Sequence, residues 1–356
     1  MRLGTCIALE LCVAAGAVAG AWVGIGRAVD LAGTYTSEAA AATGTAPRIT
    51  PLPGAELHIK APAGAPTVFE APDDLLLAPL GATPVVGVKL NHGGTSLSLR
   101  LEFASGARAA FKPQQTHPQS DPRKEIAAYR IDRLLGIGHV PPAKPGAFTM
   151  DALVNATEPG VRDYTAGRLA DEAIARDGVV HGELSWWIPD IRDQMIGPWR
   201  VDEDQGMALW TSYLHPKVEV PADVRPVVEQ LVSCVVFDVL IDNADRWTGY
   251  NTKGSPDKQT LYFMDNTLSF SQFTFGHKTN LDPLFRIEVF PKTLVARLRA
   301  LTPETIEAAL DVGGDPIGPL LTRPEITAML ARRDHLLQYI DGLIAEYGEP
   351  SVLALP

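Results

Sequence analysis

Asp242, Asn243, Asp245 and Arg246 form a polar knot directly after a largely apolar segment, residues 227–241. Asp265 and Asn266 end a short apolar run, residues 261–264. The first pattern is a buried helix delivering acid and amide groups to one loop. The second is a strand end, where metal and phosphate sites are commonly built. Two acid-bearing turns bracketing a hairpin suit phosphoryl transfer: one carboxylate orients and deprotonates a hydroxyl, and the other holds the cation that bridges nucleotide phosphates. Asp and Asn in turns more commonly cap and hydrogen-bond local backbone. The rest of the chain decides between the two roles.

Such a site needs elements that carry positive charge to the phosphates. Leu97, Leu99, Leu101 and Phe103 alternate with Ser98, Arg100 and Glu102, the period of a half-buried strand. Ser105 and Gly106 make a turn, and residues 108–112 return as a second strand stopped by Pro113. Lys112 therefore ends a hairpin that begins with Gly93, Gly94 and Thr95. Glycines there let backbone amides approach phosphate oxygens, and a lysine on the neighbouring strand meets them by charge. A glycine pair before a strand also makes an ordinary turn, and a strand lysine an ordinary solvated one.

The next element is a helix capped by Asp121, with Pro122 in its first turn, an apolar stripe at Ala127, Ile131, Leu134 and Leu135, and closure at Gly136. Glu125 lies in its first turn. It either complements the helix dipole or faces Lys112 and fixes the ammonium, as the strand lysine and helix glutamate do in kinases. Residues 161–176 could hold a short helix. Residues 182–190 read as a strand with Trp186 and Trp187, ended by Pro189, and residues 191–224 as irregular. Residues 294–301, 303–310 and 324–347 read as helices. No internal repeat, G-x-G-x-x-G or G-x-x-x-x-G-K-[ST] motif occurs.

A chain of 356 residues that is 46% hydrophobic can bury a two-lobed domain, and its net charge of −11 argues against nonspecific nucleic-acid binding. Of three cysteines, Cys6 and Cys12 lie in the N-terminal apolar run and leave Cys234 alone, so the folded domain has neither a disulfide nor a cysteine-type zinc site. Residues 3–26 carry one charge, Glu10, and read as a membrane tether or a signal segment, with an exported or anchored location on an undetermined side of the membrane. Residues 31–83, rich in Ala, Pro, Gly and Thr, read as a mostly extended linker.

Six segments in this order carry a resemblance: Gly-Gly-Thr-Ser-Leu-Ser-Leu from 93, Ala-Phe-Lys-Pro from 110, Glu-Ile-Ala-Ala-Tyr-Arg-Ile-Asp-Arg-Leu-Leu from 125, Gly-Glu-Leu-Ser-Trp-Trp-Ile-Pro-Asp from 182, Asp-Asn-Ala-Asp-Arg from 242 and Met-Asp-Asn-Thr from 264. Together they resemble the secretory-pathway kinase family of Golgi casein kinase, glycosaminoglycan xylosylkinase and four-jointed, a distant relative of the phosphatidylinositol 3/4-kinases and HipA-type kinases. The resemblance covers about residues 93–301. It implies an α+β, two-lobed protein-kinase-like fold, with a small antiparallel-sheet N-lobe bearing one helix and a larger, mainly helical C-lobe. The organisation implied is a signal or anchor at 1–28, an Ala/Pro-rich linker at 29–84, an N-lobe at 85–180 and a C-lobe at 181–348.

By position, the resemblance makes Lys112 the phosphate-binding lysine, Glu125 its helix partner, Asp245 the catalytic base and Asp265 the cation ligand. Asn251 falls near a second metal position, and as a Tyr-Asn pair it equally forms a turn. ATP with Mg²⁺ or Mn²⁺, and a hydroxyl of a protein serine or threonine or of a glycan, are the implied reactants. A nucleotide-binding pseudokinase serving as a tethered recognition domain is the alternative. Thr267 replaces the glycine that usually follows Asp-Asn, the family's disulfide cysteines are absent, and no Ala-Pro-Glu element follows Asp265.

Overall fold

Alternation of apolar and polar residues in the hairpin produces strands that bury one face. The computed structural model describes residues 67–69, 71–91, 95–248, 250–311 and 317–356. The expected anchor, most of the linker, and Gly93 and Gly94 lie outside the described residues. In β2 (Leu99–Phe103), Leu99, Leu101 and Phe103 are buried while Arg100 and Glu102 are not. It pairs antiparallel with β1 (Val85–Leu90) on one side and β3 (Arg108–Pro113) on the other. The sheet continues through β4 (Ala143–Thr149), β5 (Ala175–Arg176) and β6 (Val179–Trp186), in the order β1-β2-β3-β6-β4 with β5 also on β6. Its register sets Ala110 opposite Ser185 and Lys112 opposite Glu183.

Helix α1 (Asp73–Leu77) precedes the sheet, within the stretch read as extended linker. Composition concealed it because its anchors are distant in sequence: the Asp73 carboxylate accepts from Arg133 Nε at 2.7 Å and Tyr129 Oη at 3.0 Å, and Phe69 and Leu80 are buried. The sheet also runs past the expected lobe boundary at residue 180, since β6 ends at Trp186. A continuous eight-residue strand that pairs with both β3 and β4 cannot be divided between lobes.

Helix α2 (Pro122–Leu135) has the expected ends. Asp121 Oδ1 accepts from the Arg123 amide at 3.1 Å, and Gly136 takes the left-handed conformation at φ 61° that a residue with Cβ avoids. Asp121→Ala should cost about 1 kcal/mol of stability, measurable by urea unfolding, the usual loss for an N-cap oxygen; no change in midpoint would show the cap to be redundant. Two further helices, α3 (Met150–Asn155) and α4 (Arg162–Glu172), cover the sheet, and their Leu153 and Leu169 pack against Leu99, Leu101 and Phe111.

The C-lobe begins with the short strands β7 (Arg192–Asp193), β8 (Met195–Ile196) and β9 (Trp199–Arg200) and helix α5 (Asp204–Thr211), where irregular structure was expected. Trp210 is buried there with its indole N–H on the Val201 carbonyl at 3.0 Å, whereas Trp199 is exposed. Helix α6 (Arg225–Ile241) is apolar almost all round and buried, as a central core helix must be. Strands β10 (Thr252–Gly254) and β11 (Leu261–Phe263) form the expected hairpin. Helices α7 (Lys278–Leu284), α8 (Lys292–Arg299), α9 (Pro303–Leu310), α10 (Arg323–Tyr347) and α11 (Glu349–Val352) complete the lobe, with α7 and α10 packed on α6.

The hydrophobic residues divide into two cores with a functional consequence. Ile126, Ile131 and Leu135 of α2 belong to the C-lobe core, with Val235, Phe263 and Leu298, and not to the sheet core. Glu125 therefore rides on a helix seated on the C-lobe, while Lys112 is carried by the sheet.

Candidate active site

Lys112, at the end of β3, extends its ammonium to two carboxylates. Nζ donates to Glu125 Oε1 at 2.6 Å and to Asp265 Oδ1 at 2.7 Å. The first contact resolves the two readings of Glu125 in favour of the lysine partner. Burial pulls the Lys112 pKa down, but Asp265 and Glu125 outweigh it and hold the ammonium above its ordinary value. The same ammonium is the main reason that Asp265 is held below the usual carboxylate range.

Asp265 sits just past β11 with φ at 57°, a left-handed conformation costly for a residue with Cβ and common where a loop is shaped for function. Thr267, where a glycine was expected, donates its hydroxyl to Asp265 Oδ1 at 3.2 Å and so restrains the carboxylate. Asn266 joins the two lobes' machinery. Its backbone and side-chain amides donate to Glu125 at 2.9 and 3.2 Å, and its Oδ1 accepts from Asn243 at 3.1 Å and from Arg246 Nη2 at 2.8 Å.

The loop after α6 is positioned from below. Arg246 is buried, donates to Asp238 Oδ2 at 3.2 Å, and reaches the Met264 and Asn251 carbonyls. Asp242 ends α6 in a left-handed conformation and accepts from the His277 amide at 2.7 Å and from Asn280 at 3.2 Å. Asp245 is half-buried between these anchors. Its backbone N–H donates to Asn243 Oδ1 at 3.2 Å, and its Oδ2 accepts from Asn251 Nδ2 at 2.9 Å. Burial first, and the neighbouring Asp265 second, raise its pKa.

Lys112, Glu125 and Asp265 thus line one cavity, and Asp245 lies near Asp265 without lining it. Asn251 binds Asp245 through its amide nitrogen. Thr95 is exposed and does not line the cavity, whose wall on that side is Asn91, Ser96 and Ser98. Just before β2, Ser96 and Ser98 line the cavity while Leu97 between them is buried in the sheet core. The cavity is about 510 Å³, a volume suited to a nucleotide. Trp187, Ile188, Pro189 and Asp190, the stretch that follows β6, line its far end, so the second tryptophan faces the cavity as a hinge residue would.

Glu183 escaped the sequence reading. It is buried on β6, opposite Lys112, and lines the same cavity. Burial, reinforced by Glu125, pushes its carboxyl well above the usual range. Its signal was an acid in the middle of an apolar strand, a position that costs stability unless something uses it.

Among the described residues no group of three His, Cys, Asp or Glu side chains forms a metal cage. The donors at hand, the Asp265 carboxylate and the Asn251 amide oxygen, are hard oxygen ligands of the kind that hold Mg²⁺ or Mn²⁺ jointly with nucleotide phosphates, so the residues fit such an ion.

A sheet lobe, a helix bearing the lysine's partner, a linking stretch after β6 and a mainly helical lobe bearing both aspartates define the protein-kinase-like fold class. Within that class, a family model described as "Golgi casein kinase, C-terminal, Fam20" matches residues 168–352, and the chain belongs to that family. It is similar to human glycosaminoglycan xylosylkinase, at 25% identity over 76% of this chain and 74% of that protein. It is also similar to the human extracellular serine/threonine protein kinase FAM20C, at 24% identity over 79% of this chain and 56% of that protein. Among solved structures, the Golgi casein kinase with Mn/ADP bound shares its fold, with a TM-score of 0.60 and 19% identity over 79% of this chain and 78% of that one.

Proposed function

We propose that this chain is an ATP-dependent phosphotransferase that moves the γ-phosphate to a hydroxyl of a protein or glycan. The observation that carries the reading is Lys112 bridging Glu125 and Asp265 on the cavity wall, with Asp245 close enough to Asp265 for the two carboxylates to influence each other. Lys112, kept charged by its two partners, contacts the phosphates. Asp265, whose carboxylate now meets the ammonium, would hold the cation. When bound, Mg²⁺ or Mn²⁺ neutralises charge on the phosphate oxygens. Asp245, oriented by Asn251, receives the proton of the acceptor hydroxyl. Asn251, with its amide nitrogen on Asp245, would offer its side-chain oxygen to the cation. On the phosphate side Ser96 and Ser98 line the cavity, whereas Thr95 does not.

The kinase names of the relatives support this reading, as does the Mn/ADP of the structural neighbour. The extracellular designation of one relative supports an extracytoplasmic domain tethered by residues 3–26. Among the described residues no helix is long and apolar enough to cross a membrane, and the tether segment is not among them.

A thermal-shift titration with Mn²⁺-ATP followed by a labelled-phosphate transfer assay tests the proposal. Saturation at 100 times Kd should stabilise the fold by about 2.7 kcal/mol, with transfer to a casein or proteoglycan acceptor. Asp265→Ala should abolish the metal-dependent part of the shift. A shift without transfer to any acceptor would favour the pseudokinase reading, and no shift would end both.

A further inference from the structure

The cavity carries Lys112 and Asp265 at one end, and at the other Pro141, Trp187 and Ile188 give it apolar surface beside Asp190 and Arg192. A nucleotide with its phosphates at the first end sets its base at the second. The sheet forms the wall between them. In the β3–β6 register Ala110 is opposite Ser185 and Lys112 opposite Glu183. Because strand side chains alternate, all four project from one face, and all four line the cavity. One pleat, ~7 Å, separates the lysine row from the Ala110–Ser185 row. Ala110 is small enough to let a planar base approach, so Ser185 is the polar side chain beside its edge.

The Ser185 hydroxyl donates its proton to Glu183 Oε1. Glu183 Oε1 can accept that bond whether the acid is ionised or carries its proton on Oε2. The serine oxygen is thereby left with lone pairs only, a pure acceptor toward the cavity. Glu183 Oε2 is buried with no hydrogen-bond partner of its own. A buried acid opposite the phosphate-binding lysine, with one oxygen left without a hydrogen bond, costs stability, which marks it as a group retained for the ligand.

We propose that Ser185 reads the exocyclic 6-amino group of adenine and that Glu183 is the positioning residue that locks the serine hydroxyl as an acceptor, so that the site takes adenine and rejects 6-oxopurine nucleotides. This rests on the phosphotransferase reading. Adenine presents an N–H donor at that edge, and the 6-oxo group of hypoxanthine or guanine presents an acceptor to an acceptor.

Calorimetric binding of Mn²⁺-ATP and Mn²⁺-ITP to the full chain tests it, since ITP exchanges the 6-amino for a 6-oxo group. The wild type should prefer ATP by about tenfold or more, the scale of one lost hydrogen bond with an unpaired acceptor left behind. Ser185→Ala should bring the preference to within about twofold. Glu183→Gln should narrow it as well, because an amide can donate to the serine oxygen and free its proton to meet O6. A purely structural Glu183 would change the melting temperature and leave the ATP-to-ITP ratio intact. Equal binding by the wild type, or an undiminished preference in Ser185→Ala, would overturn this inference alone. Absence of binding by either nucleotide would overturn the phosphotransferase reading and this inference with it.

Discussion

Asp245→Asn is expected to slow phosphoryl transfer by about 10²–10⁴-fold, the range of a positioned general base, while Mn²⁺-ATP binding stays within about twofold of the wild type. The amide keeps the shape and the contact to Asn251 but cannot take the acceptor's proton. The pH profile supplies an internal control. Burial and the nearby Asp265 raise the Asp245 pKa, so the wild-type rate should rise as pH climbs through that raised value and the base becomes ionised. The Asn variant should lose this limb. Single-turnover transfer measured across pH reads both effects, and near-normal turnover in the variant would remove Asp245 from the chemistry.

Much of this site was legible because short-range rules happened to locate it. The alternation from Leu97 to Phe103 fixed the hairpin, and with it the place of Lys112 at the strand end. Asp121, Pro122 and Gly136 marked the ends of α2, which put Glu125 in its first turn. The facing of Glu125 to Lys112 was one of two readings of that helix, whereas the contact of Lys112 with Asp265 was not foreseen, since no local rule joins residues 112 and 265.

What stayed hidden depended on distant partners. Asp73 in α1 is held by Arg133 and Tyr129, so composition alone made its surroundings look like linker. Residues 191–224 contain two-residue strands and one short helix, too short to show a period. Glu183 acquired meaning only from the β3–β6 register, which brings it opposite Lys112 across seventy residues of intervening chain. Asn266 read as a turn former, and its contacts to Glu125, Asn243 and Arg246 make it the joint between the lysine's partner and the catalytic loop.

That joint hangs on Arg246, which carries the second large expected effect. Arg246→Ala should destabilise the fold by about 3–5 kcal/mol, the cost of breaking a buried ion pair by removing one partner. The substitution strands the Asp238 carboxylate in the core, where burial already raises its pKa, and takes donors from Asn266 Oδ1 and the Met264 and Asn251 carbonyls. A double variant, Asp238→Leu with Arg246→Met, separates stability from positioning. Replacing a buried pair by apolar side chains of similar volume is often neutral, so urea unfolding should show most of the lost stability restored. Transfer activity should remain low, because methionine offers nothing to Asn266 and the Asp245 and Asp265 loops lose their common strut. Recovery of activity along with stability would mean that Arg246 serves the core alone and that the two aspartate loops hold their geometry without it.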